Sequence, residues 1–191
     1  VDLRRDLAQG EDIPLLWVMT AGPKPSYLRI SVLTRFNGQA WTPGDREIPD
    51  DQSATGTMPP LDGVGTAVKR KEFTYDVRVG PDFASTWLPT TEQVSRISAG
   101  TDWRYDVTTR DFIAARDDVT TADTSYDFTG VQLTYDEQQM NDSVSGAGSV
   151  AGIYTDLSPS LNNEIKRTAQ SVTAVAPTDR KSTRLNSSHR T

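Results

Sequence analysis

The chain has 191 residues, enough for one domain, or one domain with part of a second, and for a substantial buried core. Its net charge of −6 and pI near 4.8 exclude an electrostatic case for nucleic-acid binding. The absence of cysteine excludes disulfides, thiolate metal sites and a thiol nucleophile within the chain. With 11 prolines, 13 glycines and abundant Thr, Ser, Val and Asp, the composition favours short strands joined by turns over long helices.

Residues 1–12 open on Val1 without a methionine or a signal-peptide pattern and read as a polar lead-in, so the chain is expected to begin inside a longer protein. Ile13 to Met19 is the longest apolar run. It is strand-sized, far short of the roughly 18 residues that span a bilayer, and Pro14 belongs at its start or on a sheet edge. Ala21 to Pro25 is a turn. Tyr27 to Phe36 then alternates through Leu28, Ile30, Val32 and Thr34 and predicts a long strand. Asn37-Gly38 signals a hairpin returning through Ala40-Trp41.

Pro43 to Thr66 is acidic, rich in Gly and Pro and without period, and reads as a mobile surface loop. Ala67 to Val79 carries the clearest alternation, Phe73, Tyr75, Val77 and Val79 against Thr74, Asp76 and Arg78. Short strands are expected at Thr86 to Pro89 and Gln93 to Ser98, and Gly100 then starts a turn into Trp103 to Asp106, followed by Phe112 to Ala114. Another strand runs from Tyr126 to Tyr135, with Gly130 as a candidate bulge. Residues 143–158 read as a linker, Gly/Ser/Ala-rich from Ser143 to Gly152. Ser158-Pro159 then reads as an N-cap and first helical position, opening a helix to about Val175 whose stripe is Leu161, Ile165, Ala169 and Val172.

Residues 179–189 resemble the conceptual translation of a common short-read sequencing adapter, and residues 179–191 are set aside as an artefactual tail. That tail holds His189, the only histidine. Residues 1–178 therefore contain neither Cys nor His, and no Cys-His or Ser-His pair can be built from them. The expected sets of catalytic, cofactor-binding and metal-ligating residues are all empty. The four tryptophans, Trp17, Trp41, Trp87 and Trp103, sit in strand patterns and are expected in the core, the rival reading being an exposed platform for glycan or peptide. The carboxylate pairs Asp50-Asp51, Asp117-Asp118 and Asp136-Glu137 follow no metal-loop spacing and read as solvated surface.

Three groups of segments resemble the membrane-anchored bacterial transglutaminase-like proteins. The first is Asp2 to Leu7 with Tyr27-Leu28-Arg29 and Phe36 to Trp41; the second is Trp87-Leu88-Pro89 with Asp102 to Asp106; the third is Tyr154 to Leu157 leading into the helix that ends Ser171 to Ala174. The resemblance implies membrane helices, then an extracytoplasmic β-rich part, then a papain-like core with a Cys-His-Asp triad. On that reading residues 1–142 are a β-rich accessory domain, an antiparallel sheet or sandwich. Residues 143–158 are a linker and 159–178 the first helix of the core, cut off before any catalytic residue. No cofactor is implied. The partners implied are the core and membrane helices of the parent chain, with a protein or peptide substrate.

Overall fold

A computed structural model describes residues 13–37, 39–44, 46, 48–143 and 162–174. The predicted linker, the adapter-like tail, the polar lead-in and the Ser158-Pro159 cap lie outside the described residues, apart from Ser143. The described residues fall into two compact units, one from within 1–33 and 43–133, the other from within 34–42 and 134–191.

The first unit is mainly β, built from antiparallel sheets. Its strands are β1 (Leu16–Thr20), β4 (Thr55–Thr57), β5 (Lys69–Val79), β6 (Val94–Ser98), β7 (Trp103–Asp106), β8 (Asp111–Ala114) and β9 (Ser125–Thr134). Five of them form one sheet in the order β1-β5-β9-β6-β4. The alternation read in the sequence is the reason. Tyr75, Val77 and Val79 of β5 and Tyr126 and Phe128 of β9 are buried, while Thr74, Asp76, Arg78 and Asp127 between them are exposed. β7 and β8 form a hairpin whose Trp103, Tyr105 and Phe112 enter the same core as Ile97, Val94 and Leu88. Extended segments flank that hairpin. Ala54 N–H donates to Trp103 O at 2.9 Å on one side, and Leu88 N–H donates to Phe112 O at 3.0 Å on the other.

Several expectations are corrected. Tyr27 to Phe36 is not one long strand, because its backbone groups go elsewhere. Arg29 exchanges bonds with Thr90 alone, Val32 N–H donates to a carboxylate, and only Arg35–Phe36 (β2) is a strand. Nor is 43–66 wholly loop. Ser53 bridges Arg104, then Thr55 to Thr57 pairs with Ser98 to Arg96, so the chain crosses from the hairpin to the main sheet at the fully buried Ala54. Thr86 to Pro89 contributes one bridge, Trp87 to Ile113, rather than a strand. The irregularity expected at Gly130 lies opposite it, between Val94 and Arg96 of β6. Gly130 answers a different need: a Cβ there would lie 2.5 Å from Thr91 Oγ1 and 2.9 Å from the Tyr75 ring.

In the second unit, β2 pairs with β3 (Trp41–Thr42) and Phe36 stacks on Trp41, ring centroids 5.0 Å apart. The hairpin foreseen at Asn37 is present, but its loop spans residues 37–40, with Asn37 Oδ1 accepting from the N–H groups of Gln39 and Ala40. Helix α1 (Glu137–Asp142) was not foreseen. A reciprocal cap starts it, Asp136 Oδ1 accepting from Gln139 N–H at 2.7 Å and Gln139 Oε1 from Asp136 N–H. Helix α2 (Asn163–Thr173) is capped by Asn162, whose Oδ1 accepts from Glu164 N–H at 2.8 Å, four residues past the expected Ser158. On its apolar stripe Ile165 and Ala169 are exposed and Val172 is half-buried, in contrast to the buried Tyr75 and Val77. Leu161 lies outside the described residues.

Candidate functional site

The strongest concentration of buried charge lies at the turn of the β7-β8 hairpin. Asp106 and Asp111 face each other as its last pair, closing a four-residue loop. Asp106 shapes that loop, its Oδ1 accepting from the N–H groups of Thr108 at 2.8 Å and Thr109 at 3.3 Å. Arg110 completes the turn in the left-handed region, φ 60°. A non-glycine residue there costs on the order of 1–2 kcal/mol. Offsetting that cost, the Arg110 guanidinium donates to Pro59 O at 2.7 Å and Pro60 O at 3.2 Å.

Arg46 reaches into this turn from the segment read as loop, its side chain only 8% exposed. Nη1 donates to Asp111 Oδ2 at 2.8 Å and to Thr109 Oγ1 at 2.7 Å, and lies 3.3 Å from Asp106 Oδ2. Nη2 donates to Val32 O in a short bond and Nε to Pro43 O at 3.2 Å. The guanidinium also lies over the Trp87 ring, 4.8 Å from its centroid. Asp111 is wholly buried. Its Oδ2 also accepts from Val32 N–H at 2.9 Å, and its Oδ1 makes no hydrogen bond but faces Arg29 Nη2 at 3.5 Å. Arg29 Nη2 donates in turn to Arg110 O at 2.7 Å.

Chemically, this is a clamp. The Arg46 donors that point at the two carboxylates are the groups that hold them, so neither Asp is left as a free acid or base facing a cleft. What the network joins is revealing. The chain leaves the first unit after Leu33 and re-enters it at Pro43, and within that unit one guanidinium holds the carbonyls of Val32 and Pro43.

The sequence offered none of these as site residues, although Arg29 and Asp106 lie in segments that carry the family resemblance. The carboxylate pairs that it did single out have surface roles: Asp50 accepts from Arg104 at 3.1 Å, Asp118 from Arg116 at 3.2 Å, and Asp136 caps α1. Among the described residues no group of three or more His, Asp or Glu side chains converges as metal ligands. The core expectation for the tryptophans holds for Trp103 and fails for Trp17 and Trp41, each about half exposed; Trp87 is half-buried under Arg46. Trp17 and Trp41 belong to different units.

Two tyrosines of the first unit are shifted by burial. Tyr126 donates its hydroxyl to Pro89 O in a short bond, and burial raises its pKa far above the ordinary 10.0. Tyr105 is also raised, chiefly by burial, against the opposing pull of Arg110 and Arg29. A raised folded-state pKa contributes stability that is complete below the unfolded value and lost as pH climbs past it. The chemical unfolding midpoint is therefore expected to hold level from pH 7 to about 9 and to fall above about 10. Tyr126→Phe should flatten part of that fall, at a cost of about 1 kcal/mol at neutral pH from the lost bond.

Strands in antiparallel sheets around one aromatic core, locked by an internal ion network, define a mainly β domain rather than a papain-like one. The chain belongs to the family of TgpA N-terminal domains, TgpA being a transglutaminase-like protein, and that family matches residues 1–137. No curated protein and no solved structure matches the chain.

Proposed function

We propose that this domain is a non-catalytic accessory part of a transglutaminase-like membrane protein, acting on the extracytoplasmic side to brace and orient a papain-like core toward a protein or peptide substrate. The observation that carries the reading is the family match over residues 1–137 in a sequence without cysteine. A thiol nucleophile has to come from elsewhere in such a protein. The clamp supports the same reading, since its buried charges tie loops together instead of facing a cleft. Among the described residues no helix is long and apolar enough to cross a membrane.

Purified chain should incorporate no amine into a glutamine-containing protein and cleave no peptide above background. Turnover abolished by a single substitution would overturn the non-catalytic reading. Removing this domain from the parent protein should depress activity on a folded protein substrate while sparing turnover of a small ester. Full activity on both would sink the accessory role.

A further inference from the structure

Strand β1 is an edge of the five-stranded sheet, and its outward face is apolar. Trp17 is 49% exposed and Met19 65%. Sheet edges are usually guarded by charge, proline, a bulge or shortness. The far edge, β4, is only three residues long. Where β5 runs on past its pairing with β1 it carries Lys69, Arg70 and Lys71. β1 itself, Leu-Trp-Val-Met-Thr, has no charge and five paired residues.

The hydrogen-bond phase of this edge follows from its neighbours. Gly80 N–H donates to Leu15 O, whereas Val79 N–H turns the other way, to Thr124 O. Alternation along an antiparallel ladder then aims the backbone of Trp17 and Met19 at β5, and that of Leu16, Val18 and Thr20 at the open edge. None of those outward groups has a partner among the described residues.

We propose that β1 pairs with β1 of a second copy of this chain about a two-fold axis at Val18, joining two sheets edge to edge. In that register Val18 faces Val18 and Leu16 faces Thr20, so every outward N–H and C=O is satisfied. The adjacent two-fold registers fail on specific residues. Centring on Leu16 sets Val18 against Pro14, which has no N–H. Centring on Thr20 sets Val18 against Gly22, whose N–H already donates to Thr20 Oγ1 at 3.0 Å. On the outer face, the Val18 register places Trp17 beside Met19 of the second copy, a sulfur–aromatic contact. It also matches charge. Arg78 neighbours Trp17 and Asp76 neighbours Met19 within one chain, so each row across the joint ends in Arg78 of one copy and Asp76 of the other.

Sedimentation of the whole chain tests the pairing. Its mass should rise with concentration from 21.0 kDa toward twice that value. Trp17→Lys and Met19→Lys, at exposed sites that leave the fold intact by circular dichroism, should each weaken association at least ten-fold. The register has its own readout, helped by the lack of native cysteine. Opposed residues in a non-hydrogen-bonded pair have Cα atoms about 4.5 Å apart, within disulfide reach, while diagonal neighbours at about 7–8 Å are beyond it. A mixture of Trp17→Cys and Met19→Cys chains should therefore oxidise to a disulfide-linked dimer several-fold faster than either chain alone. A single 21.0 kDa species up to about 1 mM would overturn the proposal, as would a dimer untouched by both lysine variants or equal cross-linking of the separate cysteine chains.

Discussion

Replacing Asp111 with alanine should destabilise the domain by about 3–5 kcal/mol, a large fraction of the net stability of a domain this size. The loss is not that of one bond. Asp111 is wholly buried and receives Arg46 Nη1, Val32 N–H and the nearby Arg29. Without it, a guanidinium with 8% exposure keeps its charge but loses its main counter-charge, and a backbone donor is orphaned. The sign of the pair term is separable. Arg46→Met combined with Asp111→Leu removes both charges together, and the double variant should be more stable than the sum of the single losses predicts. Asp50→Ala is the control, because that carboxylate is fully exposed beside Arg104 and should leave the urea midpoint unmoved. An Asp111→Ala midpoint within error of wild type would show that water reaches the clamp.

How far the sequence could reach this picture depends on the range of the interactions concerned. β5 and β9 were legible because a buried face imposes period-two alternation on Phe73–Val79 and on Tyr126–Gly130. β4 was not, since Thr-Gly-Thr places a glycine opposite Ile97 and leaves no apolar signal. The segment Tyr27 to Phe36 shows the opposite error: it alternates, yet Val32 gives its N–H to Asp111 and its carbonyl to Arg46, so no ladder forms. Trp17 misled for a simpler reason. In an edge strand with one face on the core, a residue flanked by the inward Leu16 and Val18 must point out. α1 was within reach, since Asp136 and Gln139 have capping-box spacing. The clamp was out of reach. Arg46 and Asp111 are 65 positions apart and only the tertiary fold brings them together. Family resemblance, by contrast, needed no contact map, because its first two groups of ordered local motifs lie within residues 1–137, the span that matches the family, while the third, from Tyr154 on, lies beyond it.

Phe128→Ala is expected to cost about 3–5 kcal/mol by emptying the centre of the first unit's core. Phe128 is 1% exposed on β9, the middle strand of five, with β5 on one side and β6 on the other. Its ring stacks on Tyr75 at 5.0 Å and lies 6.4 Å from Tyr126, and across the ladder it opposes the buried Ile97. These neighbours cannot easily collapse into the space left behind. Tyr75 is pinned by its strand beside Gly130, and Tyr126 by its bond to Pro89 O. A cavity that cannot close carries its penalty in full, placing the loss at the upper end of the range for aromatic-to-alanine changes. Phe128→Leu refills most of the volume and should cost under about 1.5 kcal/mol, provided the branched side chain finds a rotamer between the two tyrosine rings. The denaturant slope should be unchanged in both variants, because the same surface is exposed on unfolding. Exchange of β5 and β9 amides should accelerate together in Phe128→Ala if the five-stranded sheet opens as one unit. Acceleration confined to β9 would instead mark that strand as separable, and the sheet as less cooperative than its shared aromatic core implies.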